Sequence, residues 1–334
     1  MIKSKFKEIS ISILIAFVLI LLMEGGAHFL YTPTRLDRIM KVLEENHHNL
    51  WKVKSNLDQE FFGANIKTNK EGFRITDGEE GWENSNIKIA ILGASPSFGW
   101  GVENDQTYSS KIFHLSNKKI SVKNFSQIGY SSFQGVHILE EAIKSKPTHI
   151  LITYVINDLD YYRFFYSQNV EDKNVTPSNP LIIFLRNFIK ELTLPKLIIS
   201  QIPKKNASSI SLKRETRVSL NDYVKNIKNL IKKAKANGIT PILVKFPVNI
   251  PIQKNIGTDV KKIQNTKIRE RSFLYNNEIE KISSQSNTPL IDFTKVVKEN
   301  KNYLFLDPNG DTIHPNKLGH SLFADEVLNY FKKI

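Results

Sequence analysis

The sequence predicts an α/β protein with a mostly parallel sheet, preceded by a hydrophobic N-terminal helix. Apolar runs of four to seven residues alternate with helix-like stretches from residue 87 to the C-terminus. Strands separated by helices pair in parallel and are covered by helices on both faces. Turns rich in small residues follow the first two runs, where open α/β sheets place their ligands.

Composition narrows the functional class. The 334 residues are 40% hydrophobic and 24% charged, which is typical of a globular protein. The formal net charge is +14, but the lysines are scattered and no nucleic-acid-binding motif is visible. We therefore expect no nucleic-acid partner, whereas an anionic surface or polymer suits the charge. The lack of cysteine excludes disulfides, thiolate metal sites, a cysteine nucleophile and a lipoprotein anchor.

The N-terminus predicts a membrane anchor. Three lysines within the first seven residues precede an apolar run over 9–23, and apolar character resumes as far as Tyr31. The favoured interpretation is an uncleaved spanning helix over about 7–31, with Glu24 near the interface. A signal peptide cleaved near Ala27 and a buried core helix are the alternatives. The positive-inside rule would keep the lysines cytoplasmic and place the remainder of the chain outside.

The rest of the chain divides by pattern. Residues 1–31 form the anchor or signal segment, and 32–85 are interpreted as a membrane-proximal segment with a short helix over 36–43 and a polar linker at 77–81. One domain follows over 86–334. Its predicted strands are 87–92, 120–125, 149–155, 240–246 and 289–293; its predicted helices are 107–115, 133–144, 220–236, 269–284 and 317–332. An insertion over 159–215, with an apolar helix near 181–192, is either a lid or a surface excursion.

Ser95 is the candidate nucleophile. It lies just beyond the strand 87–92, in the turn Gly93-Ala94-Ser95-Pro96-Ser97-Phe98-Gly99-Trp100-Gly101. Small neighbours let backbone N–H groups approach whatever the serine touches. An ordinary strand-to-helix turn has the same residues, so the assignment depends on partners elsewhere in the chain.

The candidate partners of Ser95 lie at the ends of other predicted strands and helices. His314 is a candidate base, and Asp311, three residues earlier in the same loop, is placed to orient it. Oxyanion donors are available from the backbone N–H of Ser95, the backbone N–H of Gly129 and the side-chain amide of Asn157. Gly129 is otherwise a turn glycine and Asn157 a helix cap, but each follows a different predicted strand. In a parallel sheet these positions share one edge.

Ser95, Gly129, Asn157 and His314, in this order, resemble the four marker residues of the SGNH/GDSL hydrolases. The flanks are similar too: G-x-S-x-x-x-G-W-G-V at 93–102, N-F-S-Q-I-G-Y-S-S-F-Q at 124–134, the pair Asn157-Asp158, and D-x-x-H-P-N-x-x-G-H at 311–320. The resemblance covers about 86–332 without the insertion. It implies a three-layer, flavodoxin-like α/β/α domain and hydrolysis or transfer of an acyl group from a small-molecule or glycan ester, without metal or cofactor.

One residue departs from the family pattern. Ala94 occupies the position at which the family usually carries Asp. The resemblance implies that Asp311 is the triad acid. The Asp that the family usually carries at position 94 would therefore shape the turn around the nucleophile, and its replacement by alanine bears on the level of activity. Two alternatives to an esterase follow: a catalytically impaired member that binds a glycan or partner, and an O-acyltransferase of cell-surface polysaccharide.

Overall fold

The computed structural model describes residues 2–79, 81–160, 162–202, 216–248, 259–307 and 311–333. Its helices are α1 Ile2–Leu30, α2 Arg35–Val42, α3 Ser95–Phe98, α4 Tyr108–Leu115, α5 Ser132–Lys144, α6 Pro180–Ile189, α7 Thr193–Gln201, α8 Leu220–Ala236, α9 Asp259–Ser286, α10 Phe293–Asn300 and α11 Lys317–Phe331. Its strands are β1 Leu43–Asn46, β2 Leu50–Val53, β3 Asp58–Phe61, β4 Ala64–Lys67, β5 Ile87–Leu92, β6 Ile120–Asn124, β7 His149–Ile152, β8 Thr240–Lys245 and β9 Leu290–Asp292.

The described residues form two compact units. The first comprises those up to His48 together with those between Pro177 and Ile210, and the second comprises the rest. The second unit contains the segment from Asn49, the strands and helices of the predicted α/β domain, and the first part of the insertion. The sequence-based boundaries at 31 and 85, and the two alternatives for 159–215, a lid or a surface excursion, stay predictions.

The second unit is built on a five-stranded parallel sheet in the order β6-β5-β7-β8-β9. The apolar side chains of β5 explain its place as an inner strand between β6 and β7: Ile89, Ala90, Ile91 and Leu92 are all buried. The helices form two groups, one of α4, α10 and α11 and the other of α5, α8 and α9. The predicted three-layer α/β/α fold class is therefore confirmed.

The predicted elements need a few corrections. Helix α9 begins ten residues before the predicted start, β7 ends at Ile152 rather than residue 155, and α7 and α10 were not predicted. The polar stretch at 77–81 contains a 3₁₀ turn, Asp77–Glu79. Gly78 of this turn is buried, and a Cβ there would lie 2.8 Å from the backbone N of Val122. The turn is thus part of the packed sheet edge and is not a solvated linker over its described residues.

The first unit contains the hydrophobic N-terminal helix. Helix α1 includes the stretch Glu8–Leu30, whose mean hydropathy of 2.4 and 23 residues make it long and apolar enough to cross a membrane. It packs against α7. Helix α2 begins at a capping box in which Thr34 and Asp37 satisfy each other's backbone N–H groups.

Candidate active site

Strand β5 delivers Ser95 to the carboxyl edge of the sheet. Ser95 is the first residue of α3, after the extended Ala94, and is 7% exposed. Gly93 precedes them where no side chain fits, because a Cβ would lie 2.0 Å from Thr153 Oγ1 and 2.8 Å from Ser97 Oγ. Glycine at position 93 is therefore required by the close approach of Thr153, which follows β7, and of Ser97.

His314 joins Ser95 to Asp311 in one chain of hydrogen bonds. His314 Nε2 is 2.9 Å from Ser95 Oγ, and His314 Nδ1 is 2.9 and 2.8 Å from the two carboxylate oxygens of Asp311. The Asp311 carboxylate also accepts the backbone N–H groups of Ile313 and His314. Residues separated by 219 positions in sequence thus come together as nucleophile, base and acid do in acyl-transfer enzymes.

The local electrostatics keep Asp311 ionised. Burial alone would raise the pKa of the Asp311 carboxyl, but hydrogen bonding and attraction from His314 and the two backbone donors outweigh it, so its pKa lies below the ordinary value. The neighbouring His320 behaves differently. Burial and the positive charge of Arg74 lower the pKa of His320 to about 3, so its ring is neutral. The His320 Nδ1 accepts the backbone N–H of Tyr108 and holds α11 on α4.

An aromatic stack fixes the His314 ring. Trp100 lies parallel to it, with ring centroids 4.7 Å apart and an interplanar angle of 15°. Phe61 and Phe62 pack on Trp100 at 4.6 and 4.7 Å. They come from the hairpin of β3 and β4, whose two-residue turn has positive φ at Phe62 and Gly63. The sequence had placed Trp100 in the family motif without a role, and it gave no indication of the two phenylalanines.

The ends of β6 and β7 lie beside the nucleophile turn. The backbone N–H of Gln127 donates to Gly93 O over 3.1 Å, and that of Thr153 donates to Leu92 O over 2.9 Å. Gly129 follows at φ +78°, where a Cβ would lie 2.3 Å from the Phe164 ring. The predicted donor positions Gly129 and Asn157 thus follow strands that flank β5.

The two donor positions are held in different ways. Asn157 is half-buried, and its Nδ2 donates one hydrogen to Tyr130 O over 3.0 Å. At Gly129 both flanking carbonyls are bound: Ile128 O accepts from the indole Nε1 of Trp51 over 2.9 Å, and Gly129 O accepts from Arg217 Nη1 over 2.6 Å. Neither Trp51 nor Arg217 was predicted, because each lies outside the recognised motifs and more than 75 residues from its partner.

Asp158, the residue after Asn157, is a fully buried acid. It accepts the backbone N–H and the hydroxyl of Ser132. Burial raises the pKa of Asp158 to about 7, although these donors and the charge of Arg217 oppose the rise. It bonds to the start of α5 and makes no described contact with Ser95 or His314. Among the residues that the structure describes, no group of three or more His, Asp or Glu side chains is placed to hold a metal ion.

Comparisons with known proteins identify the family to which the chain belongs. The GDSL-like lipase/acylhydrolase family matches residues 71–327. Similar solved structures include an esterase from Pseudoalteromonas sp. (18% identity, 74% of this chain and 98% of that chain, TM-score 0.46) and a lipase/acylhydrolase from Enterococcus faecalis (14%, 74% and 96%, 0.47). An acetylxylan esterase from Geobacillus stearothermophilus is similar at 16% identity, over 73% of this chain and 94% of that chain, with a TM-score of 0.46.

A search of curated proteins found no significant match. The family match covers 257 of the 334 residues, counted from 71 to 327, and includes every predicted site residue. The resemblance inferred from the sequence motifs is therefore confirmed. The chain belongs to the GDSL-like lipase/acylhydrolase family of hydrolases that act on ester bonds.

Proposed function

We propose that the protein is a serine esterase that hydrolyses a carboxylic ester through an acyl-enzyme on Ser95. The observation that carries the proposal is the unbroken chain from Asp311 through His314 to Ser95 Oγ, with bonds of 2.8 and 2.9 Å. A serine hydroxyl is a weak nucleophile until a base takes its proton, and the contact at Nε2 places that base in reach.

The reaction follows from these roles. His314 Nε2 takes the Ser95 proton while Oγ attacks the ester carbonyl, and the imidazolium then gives that proton to the leaving alkoxide. The same nitrogen then deprotonates water, which attacks the acyl carbonyl and breaks its bond to Ser95 Oγ. The imidazolium returns the proton to Oγ, and a carboxylic acid leaves. Asp311 stays ionised throughout and stabilises the imidazolium. The parallel Trp100 ring restricts His314 to the plane in which both bonds form.

The negative charge that develops on the carbonyl oxygen needs donors. We assign this role to the backbone N–H groups of Ser95 and Gly129 and to the Asn157 amide, which keeps a second N–H besides the one bound to Tyr130 O. Removing one such donor typically lowers the rate by about 10²–10³-fold. The substrate class is a small-molecule or glycan ester with an acyl or acetyl group.

The two rival functions differ in their support. A binding-only role was suggested by Ala94, but the Ser95–His314 bond forms although Ala94 provides no capping side chain. Transfer of the acyl group to a sugar hydroxyl uses the same acyl-enzyme and differs only in the acceptor. For location, we propose that α1 anchors the protein with its lysines in the cytoplasm and the catalytic domain outside.

Replacement of Ser95 tests the proposal. Ser95→Ala is expected to abolish hydrolysis of p-nitrophenyl acetate and covalent labelling by a fluorophosphonate, because no nucleophile remains. Ser109→Ala is the matched control, since its buried hydroxyl in α4 bonds to Thr107 Oγ1 over 2.9 Å and not to His314. Undiminished turnover in Ser95→Ala would refute the nucleophile assignment. Product analysis with a sugar acceptor present would separate transfer from hydrolysis.

A further inference from the structure

Helices α6 and α7 carry an exposed apolar surface in the same unit as α1. Phe184, Leu181 and Phe188 of α6 are 66%, 66% and 61% exposed, and Ile199 at the end of α7 is 65% exposed. The other exposed apolar side chains of this surface are Ile182, Leu185, Ile189, Ile198 and Ile202. Large exposed apolar surfaces mark sites of interaction with proteins or membranes.

The polar side of α6 is already occupied. Arg186 forms an ion pair with Glu45 at 3.3 Å, and Asn187 exchanges two hydrogen bonds with the Glu45 backbone. Lys190, one turn further, donates to Leu43 O. Because its polar groups are bound to β1, α6 turns its phenylalanines and leucines outward. The outward face of α6 is therefore apolar.

Helix α7 begins directly on α1. The Glu24 carboxylate accepts the backbone N–H groups of Thr193 and Leu194, the first two residues of α7, over 2.5 and 2.9 Å. His28 also contacts the Thr193 hydroxyl. Glu24 thus satisfies donors at a helix N-terminus, where a carboxylate is favoured. This contact sets the depth of α7 along α1.

Along α1, this depth fits the interface of a bilayer that α1 would span. The apolar stretch Glu8–Leu30 is about 34 Å long at 1.5 Å per residue, slightly more than a hydrocarbon core of about 30 Å. Glu24 lies six residues before Leu30, or about 9 Å inside the end of the stretch. Interfacial amphipathic helices bury their apolar face about 5–10 Å into the boundary between headgroups and acyl chains.

We propose that α6 and α7 lie in this boundary beside α1, with the outward side chains of Phe184, Phe188 and Ile199 in contact with lipid. The proposal rests on the proposed anchoring role of α1. The partner is the lipid bilayer itself, because α7 packs against a helix of membrane-spanning length. The protein would then be held by three helices, of which one spans the bilayer and two lie in its surface.

The cysteine-free sequence permits a direct test. In the full chain, single cysteines replace Phe184, Ile199, Leu19 of α1 or Leu115 of α4, and each carries an environment-sensitive fluorophore. Leu115 is the matched control, since it is an exposed leucine of the second unit at 51%. The proteins are reconstituted in phosphatidylcholine–phosphatidylglycerol vesicles that contain lipids with quenchers at shallow or deep acyl positions.

We expect quenching at 184 and 199 by the shallow quencher, at 19 mainly by the deep quencher, and at 115 by neither. Quenching at 184 and 199 no greater than at 115 would overturn the proposal. Position 19 reports separately on the anchor: without deep quenching there, the spanning role of α1 fails, whereas shallow quenching at 184 and 199 would still support the interfacial helices.

A separate set of contacts concerns the turn at Gly129. The peptide that carries the Gly129 N–H has Ile128 O at its other end, and this oxygen accepts from Trp51 Nε1. In a trans peptide the two groups point in opposite directions, so the indole bond fixes where the N–H points. Arg217 binds the next carbonyl and lies over the Trp51 ring, 5.0 Å from its centroid.

These contacts are buried, and an ion pair with a buried carboxylate holds Arg217 in place. Trp51 is 0% and Arg217 1% exposed, and Arg217 is paired with Asp172 at 2.9 Å. We infer that Trp51 and Arg217 are positioning residues for the Gly129 N–H, an inference that rests on the proposed oxyanion role of that group. Donors aimed in advance need no reorganisation when charge develops, which is the basis of this form of catalysis.

Two matched variants test the inference. Trp51→Phe keeps a buried ring but loses the N–H, and Trp82→Phe removes an equivalent buried indole donor, bound to Ser145 O over 2.8 Å, away from the site. We expect Trp51→Phe to lower kcat about tenfold or more at unchanged KM, and Trp82→Phe to leave both constants unchanged. Equal kcat in the two variants would overturn the inference. Failure of the proposed function itself would appear instead as full activity of Ser95→Ala.

Discussion

Asp311→Asn is the sharpest test of the triad. Both oxygens of Asp311 lie within 2.9 Å of His314 Nδ1, so that nitrogen carries a hydrogen and Nε2 is left as the base. The amide of asparagine has nearly the same shape, but its NH₂ group favours an imidazole that accepts at Nδ1. Nε2 would then carry the hydrogen and could not take the Ser95 proton.

The expected magnitude follows from this change of tautomer. In a Ser-His-Asp triad the substitution lowers kcat by about 10⁴-fold while the geometry persists. Asp311 is partly accessible, with 17% of its side chain exposed, so water can compete for Nδ1. We therefore expect a fall of about 10³–10⁴-fold in kcat, equivalent to about 4–5.5 kcal/mol of transition-state stabilisation.

The assay compares two Asp–His pairs in the same chain. Initial rates of p-nitrophenyl acetate hydrolysis are measured for Asp311→Asn and for Asp77→Asn, whose carboxylate bonds His114 Nε2 at 2.6 Å near the surface. Asp77→Asn should retain full activity, and thermal melts should show both variants folded. Activity of Asp311→Asn within threefold of the unmodified protein would refute the role given to Asp311.

Three further predictions concern residues around the site. Ala94→Asp should change kcat/KM by less than about tenfold, because one N-cap hydrogen bond is worth about 1 kcal/mol. Hydrolysis of p-nitrophenyl acetate measures this change. A hundredfold rise in kcat/KM would mean that Ala94 impairs the enzyme. Trp100→Ala should lower the free energy of unfolding by about 3–5 kcal/mol and reduce kcat as His314 loses its stack, which urea titration and kinetics at low temperature would check. Asp158 has a higher pKa folded, about 7, than unfolded, so the folded state binds more protons and stability falls as pH rises from about 4 to 7. Between pH 5 and 8, the free energy of unfolding of Asp158→Asn should therefore fall less with rising pH than that of the unmodified protein, by at most about 1.4 kcal/mol per pH unit. Urea titrations at several pH values measure this, and the same pH dependence in both proteins would contradict it.

The local pattern of apolar residues was sufficient to predict the strands of the sheet. The apolar run at 87–92 coincides with β5, and the amphipathic run at 220–236 coincides with α8. The start of α9 at Asp259 was missed because residues 259–268 lack a clear apolar period, so propensity and neighbouring context decided its length. Helix α7 was not predicted; it carries Pro195 in its first turn, where proline is tolerated.

The positions named at the site followed from topology. Parallel strands bring their carboxyl ends to one edge, so Ser95, Gly129 and Asn157 could be grouped without any knowledge of side-chain contacts. The supporting residues obey no such rule. Trp51, Arg217 and the aromatic pair at 61–62 reach the site through contacts that depend on how separate segments pack, and no local spacing encodes these contacts.

The turn at Ser95 is held in place without a capping side chain at Ala94. Helix α3 is held by groups other than its cap: Asn124 Nδ2 donates to Ser97 O over 2.8 Å, and Ser97 Oγ meets Thr153 Oγ1 at 2.8 Å. Thr153 Oγ1 in turn donates to Leu92 O over 3.0 Å. Strands on both sides of β5 thus bind the short helix that begins at Ser95. A carboxylate at position 94 would add one bond to a turn that is already fixed from two sides, so the family residue is replaceable here as long as this network persists.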